Sequence, residues 1–240
     1  MSSGIPMPEG QVAKRELHFF WLADYSGSMS GKKIATLNQA IREALPAIQQ
    51  AVAQHPEIEI KMRAIKFADT ADWHVGPNAV HVNQFVWPEL GVDGCTSTAQ
   101  AIRRLAEQLT TDQMPQRGLP PVCILISDGC CTESPSTYDR AIQDLVALPW
   151  GKKSVRLAIA IGEERDYDEK ELLKFVSHPE IGVLKAESVE QLVGYIKWAS
   201  VEATVGASLS RSKAGTPTNN TSQNVILPPP PAITSSGDIF

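Results

Sequence analysis

Residues 17–23 read Leu17-His18-Phe19-Phe20-Trp21-Leu22-Ala23, a near-continuous apolar run that predicts a strand buried on both faces. Polarity then switches without a spacer to Asp24-Tyr25-Ser26-Gly27-Ser28. Beyond the switch Ile34, Leu37, Ile41, Leu45, Ile48 and Val52 recur at helical spacing, so residues 32–54 are expected to form an amphipathic helix. Pro46 falls inside that pattern and is expected to kink or split it, because proline removes a backbone donor and crowds the preceding turn. Over residues 58–67, Ile58, Ile60, Met62 and Ala64 alternate with Glu59, Lys61 and Arg63, which predicts a strand with one wetter face. An edge strand near Trp73-His74-Val75 is expected to pair with it.

Helix and strand then alternate regularly: helix over 98–109, strand over 122–127, helix over 136–148, strand over 154–161. A short helix over 169–176, a weak strand over 182–186 and a last helix from 189 to about 200 follow, the last with Val189, Leu192, Val193 and Ile196 on one face. Such alternation implies right-handed crossovers and an α/β fold, a doubly wound and mostly parallel sheet with one antiparallel edge strand. The expected organisation is an N-terminal extension over 1–15, one folded domain over 16–202, and a tail over 203–240. That tail is rich in Ser, Thr, Asn and Pro, includes Pro228-Pro229-Pro230-Pro231, and is expected to be disordered for want of apolar surface to bury. Its end, with Ile239 and Phe240, reads either as a docking peptide or as spacer.

Charge narrows the function classes. With 22 basic and 27 acidic residues the formal charge is −5, which argues against a nonspecific grip on nucleic acid. The first eleven residues lack a basic region followed by an apolar core, and no apolar run is long enough to cross a bilayer. A cytoplasmic location and no membrane partner are therefore expected. Cys95, Cys123, Cys130 and Cys131 show no disulfide-framework spacing and are expected to be thiols.

The chemistry lies in three oxygen-rich segments that follow or precede apolar stretches: Asp24 to Ser28, Gly94-Cys95-Thr96-Ser97-Thr98, and Ser127-Asp128-Gly129. In an open α/β sheet the loops after strands gather on one edge, so Asp24, Ser26, Ser28, Thr96 and Asp128 are expected to converge on one ion. Hydroxyl and carboxylate oxygens are hard ligands, suited to Mg²⁺, with Mn²⁺ or Ca²⁺ as alternatives. A shell dominated by neutral hydroxyls leaves the cation under-neutralised, with an exchangeable position for a carboxylate from a partner protein. Helix capping accounts for Asp24 or Ser26 taken singly, but not for five oxygen-bearing residues over three loops.

Other motifs fail on chemistry. The stretch Gly27-Ser28-Met29-Ser30-Gly31-Lys32-Lys33 is one residue short for a phosphate-binding loop and has Lys33 where the magnesium-binding hydroxyl should stand. No serine has a nucleophile-elbow setting, and none of the five histidines lies in the three loops. The chain is therefore expected not to be an enzyme, with a metal-dependent phosphohydrolase and a thiol-based redox or metalloid sensor as the alternatives.

Asp24-Tyr25-Ser26-Gly27-Ser28, Thr96 after Gly94-Cys95, and Asp128 between Ser127 and Gly129 together resemble the metal-ion-dependent adhesion site (MIDAS) of von Willebrand factor A (VWA) domains. The resemblance covers roughly residues 16–200. It implies a Rossmann-like VWA fold with the ion at the carboxyl edge of the sheet, coordinated by Ser26, Ser28 and Thr96. In that scheme Asp24 and Asp128 chiefly hold waters and hydroxyls in place. Through Asp24 to Ser30, Gly31-Lys32-Lys33-Ile34 and Asn38-Gln39-Ala40-Ile41 the chain is most similar to bacterial intracellular members of the TerY type, associated with tellurium resistance, stress response or phage defence. This implies a Ser/Thr kinase and a PPM-type phosphatase as companions, and the Ser/Thr-rich composition of the tail makes hydroxyls such as Thr216, Thr218 and Ser222 expected phosphorylation sites for such a kinase. Two departures from the family pattern, Gly94-Cys95-Thr96 and Cys130-Cys131-Thr132-Glu133, set three thiols close to the ion, as packing residues or as sensors.

Overall fold

The computed structural model describes residues 14–116, 118–129, 131–163, 165–209 and 225–233. Its apolar runs become a six-stranded sheet of order β3-β2-β1-β4-β5-β6, formed by β1 (Arg15–Asp24), β2 (Ile58–Phe67), β3 (Ala71–His81), β4 (Val122–Ser127), β5 (Val155–Ile161) and β6 (Leu184–Ala186). All neighbours are parallel except β2 and β3, which form the antiparallel edge pair. The apolar strand β1 lies between β2 and β4, and its side chains feed two cores. Leu17, Phe19, Trp21 and Ala23 pack beneath α1 (Lys32–Ala53) and α6 (Val189–Leu209), whereas Phe20 and Leu22 pack beneath α2 (Thr98–Gln108), α3 (Pro135–Ala147) and α5 (Glu169–Phe175). A one-and-a-half-turn helix, α4 (Pro149–Lys153), leads into β5.

Strand order reverses direction between β1 and β4: the chain leaves β1 through α1 toward β2 on one side, and reaches β4 through α2 on the other. A crevice opens at such a switch point, outside the carboxyl ends of the strands. Asp24 ends β1 and Asp128 directly follows β4, so the fold delivers both carboxylates to that crevice.

Two expectations are corrected. Pro46 does not split α1, which continues through it for 22 residues, because Leu37, Ile41, Leu45 and Ile48 are all buried in one core cluster and this packing outweighs one lost donor. The tail expected to be disordered from residue 203 is ordered in two stretches. α6 continues to Leu209, and residues 225–233 lie along it as a strap. Small residues explain the second stretch. A Cβ on Gly194 would collide with Ile233, and one on Gly206 would press on Val225 and Leu227. The glycines therefore open a furrow into which Val225 and Leu227 are buried. His178 Nε2 donates to the Val225 carbonyl (2.8 Å) and Gln191 Nε2 to the Ile233 carbonyl (3.3 Å), which ties the strap at both ends. Prolines between those ties have little conformational freedom to lose, so modest burial suffices to order them. Residues 1–13 of the extension expected over 1–15, the tail over 210–224 and the end over 234–240 lie outside the described residues.

Candidate metal centre

Asp24 is fully buried at the end of β1. Its Oδ1 accepts the Ser26 backbone N–H at 2.8 Å and its Oδ2 accepts the Ser127 hydroxyl, whose oxygen in turn accepts the Gly129 N–H at 3.2 Å. The chain then makes a single 3₁₀ turn, Gly27–Met29, with Met29 driven into the core and Ser28 left at the surface. Ser28 Oγ donates to Asp128 Oδ1 at 2.7 Å. A hydroxyl has one proton, so the 3.0 Å contact between Ser26 Oγ and Ser28 Oγ is a donation from Ser26. Loops one and three are thus joined through side chains.

Loop two is joined to both neighbours through the backbone. Gly27 N–H donates to Gly94 O (2.9 Å), Asp93 N–H to Tyr25 O (2.8 Å), Ser97 N–H to Ala68 O (2.8 Å) and Thr132 N–H to Thr96 O (2.9 Å). Gly94 sits at φ +60, where any Cβ would run into the Asp69 carboxylate; that carboxylate accepts the Cys95 N–H at 2.7 Å. The approach to Thr96 is held by Asn38 on α1, whose amide donates to Leu90 O (2.9 Å) and accepts from Trp87 Nε1 (2.8 Å) and Leu90 N (2.9 Å). Asn38 is buried, and with three of its hydrogen bonds directed at residues 87–90 it fixes the loop from inside.

The third loop closes the arrangement through Gly129. A Cβ there would lie 2.9 Å from Thr96 Oγ1 and 3.6 Å from Asp24 Oδ2, so only glycine leaves the space between them open. The structure brings Asp24, Ser26, Ser28, Thr96 and Asp128 to one point at the carboxyl edge of β1 and β4. Burial raises the Asp24 carboxyl from 3.8 to about 6 against the pull of its hydrogen bonds to Ser127 and Ser26, and repulsion from Asp128 adds to the rise. A buried carboxylate held beside a second one, with hydroxyl oxygens around an open cradle, is a donor set that fits a small hard divalent cation.

Lys33 is the residue that sequence reasoning missed as a participant. From the first turn of α1 its Nζ reaches Asp128 Oδ2 at 2.7 Å. The sequence signal was its offset of five residues from Ser28, which brings the start of a helix back over the loop it follows. The thiols divide. Cys95 is exposed, Cys131 is half-buried with its thiol raised by burial, and Cys123 lies in the core with its thiol pushed up to about 12. Cys130 lies outside the described residues.

No protein-family model matches the chain, and no curated protein sequence matches it either. Solved structures do. A von Willebrand factor type A protein from Catenulispora acidiphila superposes with a TM-score of 0.60 at 18% identity, over 79% of this chain and 43% of that one. The fold is that of a VWA domain. The ArnB paralog VWA2 from Sulfolobus acidocaldarius superposes with a TM-score of 0.56 at 19% identity, over 77% of this chain and 45% of its own. Proximal thread matrix protein 1 from the mussel byssus, in a structure with a zinc-occupied MIDAS motif, gives 0.55 at 15% identity over 79% and 46%. The chain spans less than half the length of each of these VWA-fold chains.

Proposed function

We propose that this VWA-fold chain is a metal-dependent interaction module that binds an acidic residue of a partner protein. The observation that carries the reading is the convergence of Asp24, Ser26, Ser28, Thr96 and Asp128, from three loops, around the cradle kept open by Gly129. Ser26, Ser28 and Thr96 supply neutral oxygens to the ion, and Asp24 and Asp128 supply the charge and orient the hydroxyls. The ion, when bound, supplies a Lewis-acid position with an exchangeable ligand, which a partner's Asp or Glu takes. Mg²⁺ is the proposed ion, since oxygen-only donors that retain water favour it, with Mn²⁺ and Ca²⁺ as close substitutes. The zinc-occupied motif of the mussel protein supports a divalent cation at a site of this type. The resemblance to TerY-type proteins supports a bacterial cytoplasmic setting, in tellurium resistance or a stress response, beside a Ser/Thr kinase and a PPM-type phosphatase. No described helix is long and apolar enough to cross a membrane.

The module is proposed to be non-enzymatic. Asp24 and Asp128 are both engaged with neighbouring hydroxyls, and no histidine enters the three loops to move a proton. Affinity purification of the full chain from its native cells, in Mg²⁺ and in EDTA, with Asp24→Ala alongside, tests the reading. Partners lost in both EDTA and the variant support it. Partners retained in all three samples refute it, and phosphoester turnover with Mg²⁺ that vanishes in Asp24→Ala would replace it with the hydrolase reading.

A further inference from the structure

Lys33 places an ammonium group inside the metal centre. Its side chain is 18% exposed, and its Nζ lies 2.7 Å from Oδ2 of Asp128, whose side chain is fully buried. The other oxygen of that carboxylate already takes the Ser28 hydroxyl. Asp128 thus has one oxygen turned toward the hydroxyl cluster and one held by the Lys33 ammonium. Two carboxylates and one ammonium leave the centre with a single net negative charge, where the oxygen donors alone would offer a divalent ion two.

A second carboxylate lies close to the same ammonium. Asp166 Oδ2 lies 3.8 Å from Lys33 Nζ, beyond hydrogen-bond distance but within reach of an ion pair. It is held in place by the Glu163 N–H, which donates to it at 3.0 Å, while the Asp166 N–H returns to Glu163 O at 2.8 Å. Gly162, at φ +108, makes the approach possible: a Cβ there would collide with the Asp166 carboxylate and lie 3.3 Å from Lys33 Nζ. Lys33 therefore stands between an acceptor inside the centre and one outside it, and a rotation at the end of a flexible side chain exchanges them.

We propose that Lys33 is a tethered cation that competes with the divalent ion for Asp128, and that it is released onto Asp166 when the ion loads. The proposal deepens the metal-dependent reading above and rests on it. It makes ion affinity a property of the pair, Lys33 lowering it and Asp166 restoring part of it. A role for Lys33 in merely holding the Asp128 rotamer predicts the opposite sign, because its removal would then loosen a carboxylate that orients the ion's hydroxyl ligands.

The test is calorimetric titration of MgCl₂ and MnCl₂ into the full-length metal-free chain and into Lys33→Met, Asp166→Asn and the double variant, with the thermal shift on ion addition as a second readout. Removing a like charge a few ångströms from the ion should tighten both ions by at least about tenfold in Lys33→Met. Asp166→Asn, in a half-exposed loop where misfolding is not expected, should weaken them by a few-fold, and the double variant should match Lys33→Met. Unchanged or weaker binding in Lys33→Met, with the wild type binding normally, overturns the proposal. So does an Asp166→Asn effect that persists at full size without Lys33. Absence of ion binding in every protein overturns the metal-dependent reading itself, whereas binding in Lys33→Met but not in the wild type supports the competition.

Discussion

Asp24→Asn should make the metal-free protein more stable, although it removes a residue of the binding centre. In the absence of an ion, the Asp24 carboxylate is sealed from water and its carboxyl is raised from 3.8 to about 6, with burial the leading cause. At about 1.4 kcal/mol per pH unit, that gap represents about 3 kcal/mol of folding free energy lost once the group ionises. The sign follows from the raised value: the stability associated with the neutral acid is fully present below the unfolded-state value near 3.8 and is lost as pH rises through about 6. Asparagine can still accept the Ser26 N–H and can donate to Ser127 Oγ, but these uncharged bonds are weaker and return part of the gain. A net gain of about 1–2 kcal/mol corresponds to a melting temperature higher by about 2–8 °C in EDTA at pH 7.5. The advantage should shrink to nothing near pH 4. In Mg²⁺ at a hundred times its dissociation constant the wild type gains about 2.7 kcal/mol that the variant does not, and the order should invert. Differential scanning calorimetry over pH 4–8, in EDTA and in Mg²⁺, reads all three effects. A variant that melts below the wild type in EDTA at pH 7.5, or a gap unchanged at pH 4, would refute the reasoning.

Asn38→Leu should cost about 2–4 kcal/mol, since it leaves Trp87 Nε1 and both Leu90 backbone groups without their partner, and should weaken Mg²⁺ binding because the approach to Thr96 loses its internal tie; urea unfolding and calorimetry measure the two losses. Gly129→Ala should weaken ion binding by more than about tenfold while the circular dichroism spectrum stays that of the wild type, because its methyl group occupies the cradle beside Thr96 Oγ1 rather than the core. Among the cysteines of the described residues, iodoacetamide at pH 7.5 should label Cys95 first, Cys131 slowly and Cys123 only on unfolding, given their exposures and the burial-raised thiols of the last two. Mass spectrometry of the labelled peptides gives the order, and rapid labelling of Cys131 would reopen the thiol-sensor reading.

The elements whose pattern was unambiguous were legible in the chain. The apolar run of β1, the 3.6-residue spacing of α1 and the strand-helix alternation after residue 97 each fix burial on a definite face, and burial dictates both topology and the edge where loops gather. The cluster of Asp24, Ser26, Ser28, Thr96 and Asp128 was legible because oxygen-bearing residues stood where apolar runs stopped. The split at Pro46 did not occur, because the local penalty of a few kcal/mol is outweighed by packing that the sequence around it does not reveal. Residues 225–233 misled for a related reason: their few apolar side chains order only because Gly194 and Gly206 open a furrow on α6, and nothing in the segment itself encodes that. Lys33 carried only the faint signal of its offset from Ser28 and Asn38 carried none, both being polar residues on a helix whose contacts lie far along the chain, at Asp128 and at residues 87–90.

The strap also sets an order of events during synthesis. Val225 and Leu227 join the same core cluster as Phe19 and Trp21 near the start of the chain, and Ile233 fills the notch at Gly194 on α6. Domains fold as units while the chain emerges, and this unit closes only after about residue 233 has left the ribosome. Until then the flank of α6 stays greasy and open, so a ribosome stalled in the preceding stretch would display a nearly finished fold with one sticky seam, a natural handle for chaperones and for proteases that clear incomplete chains.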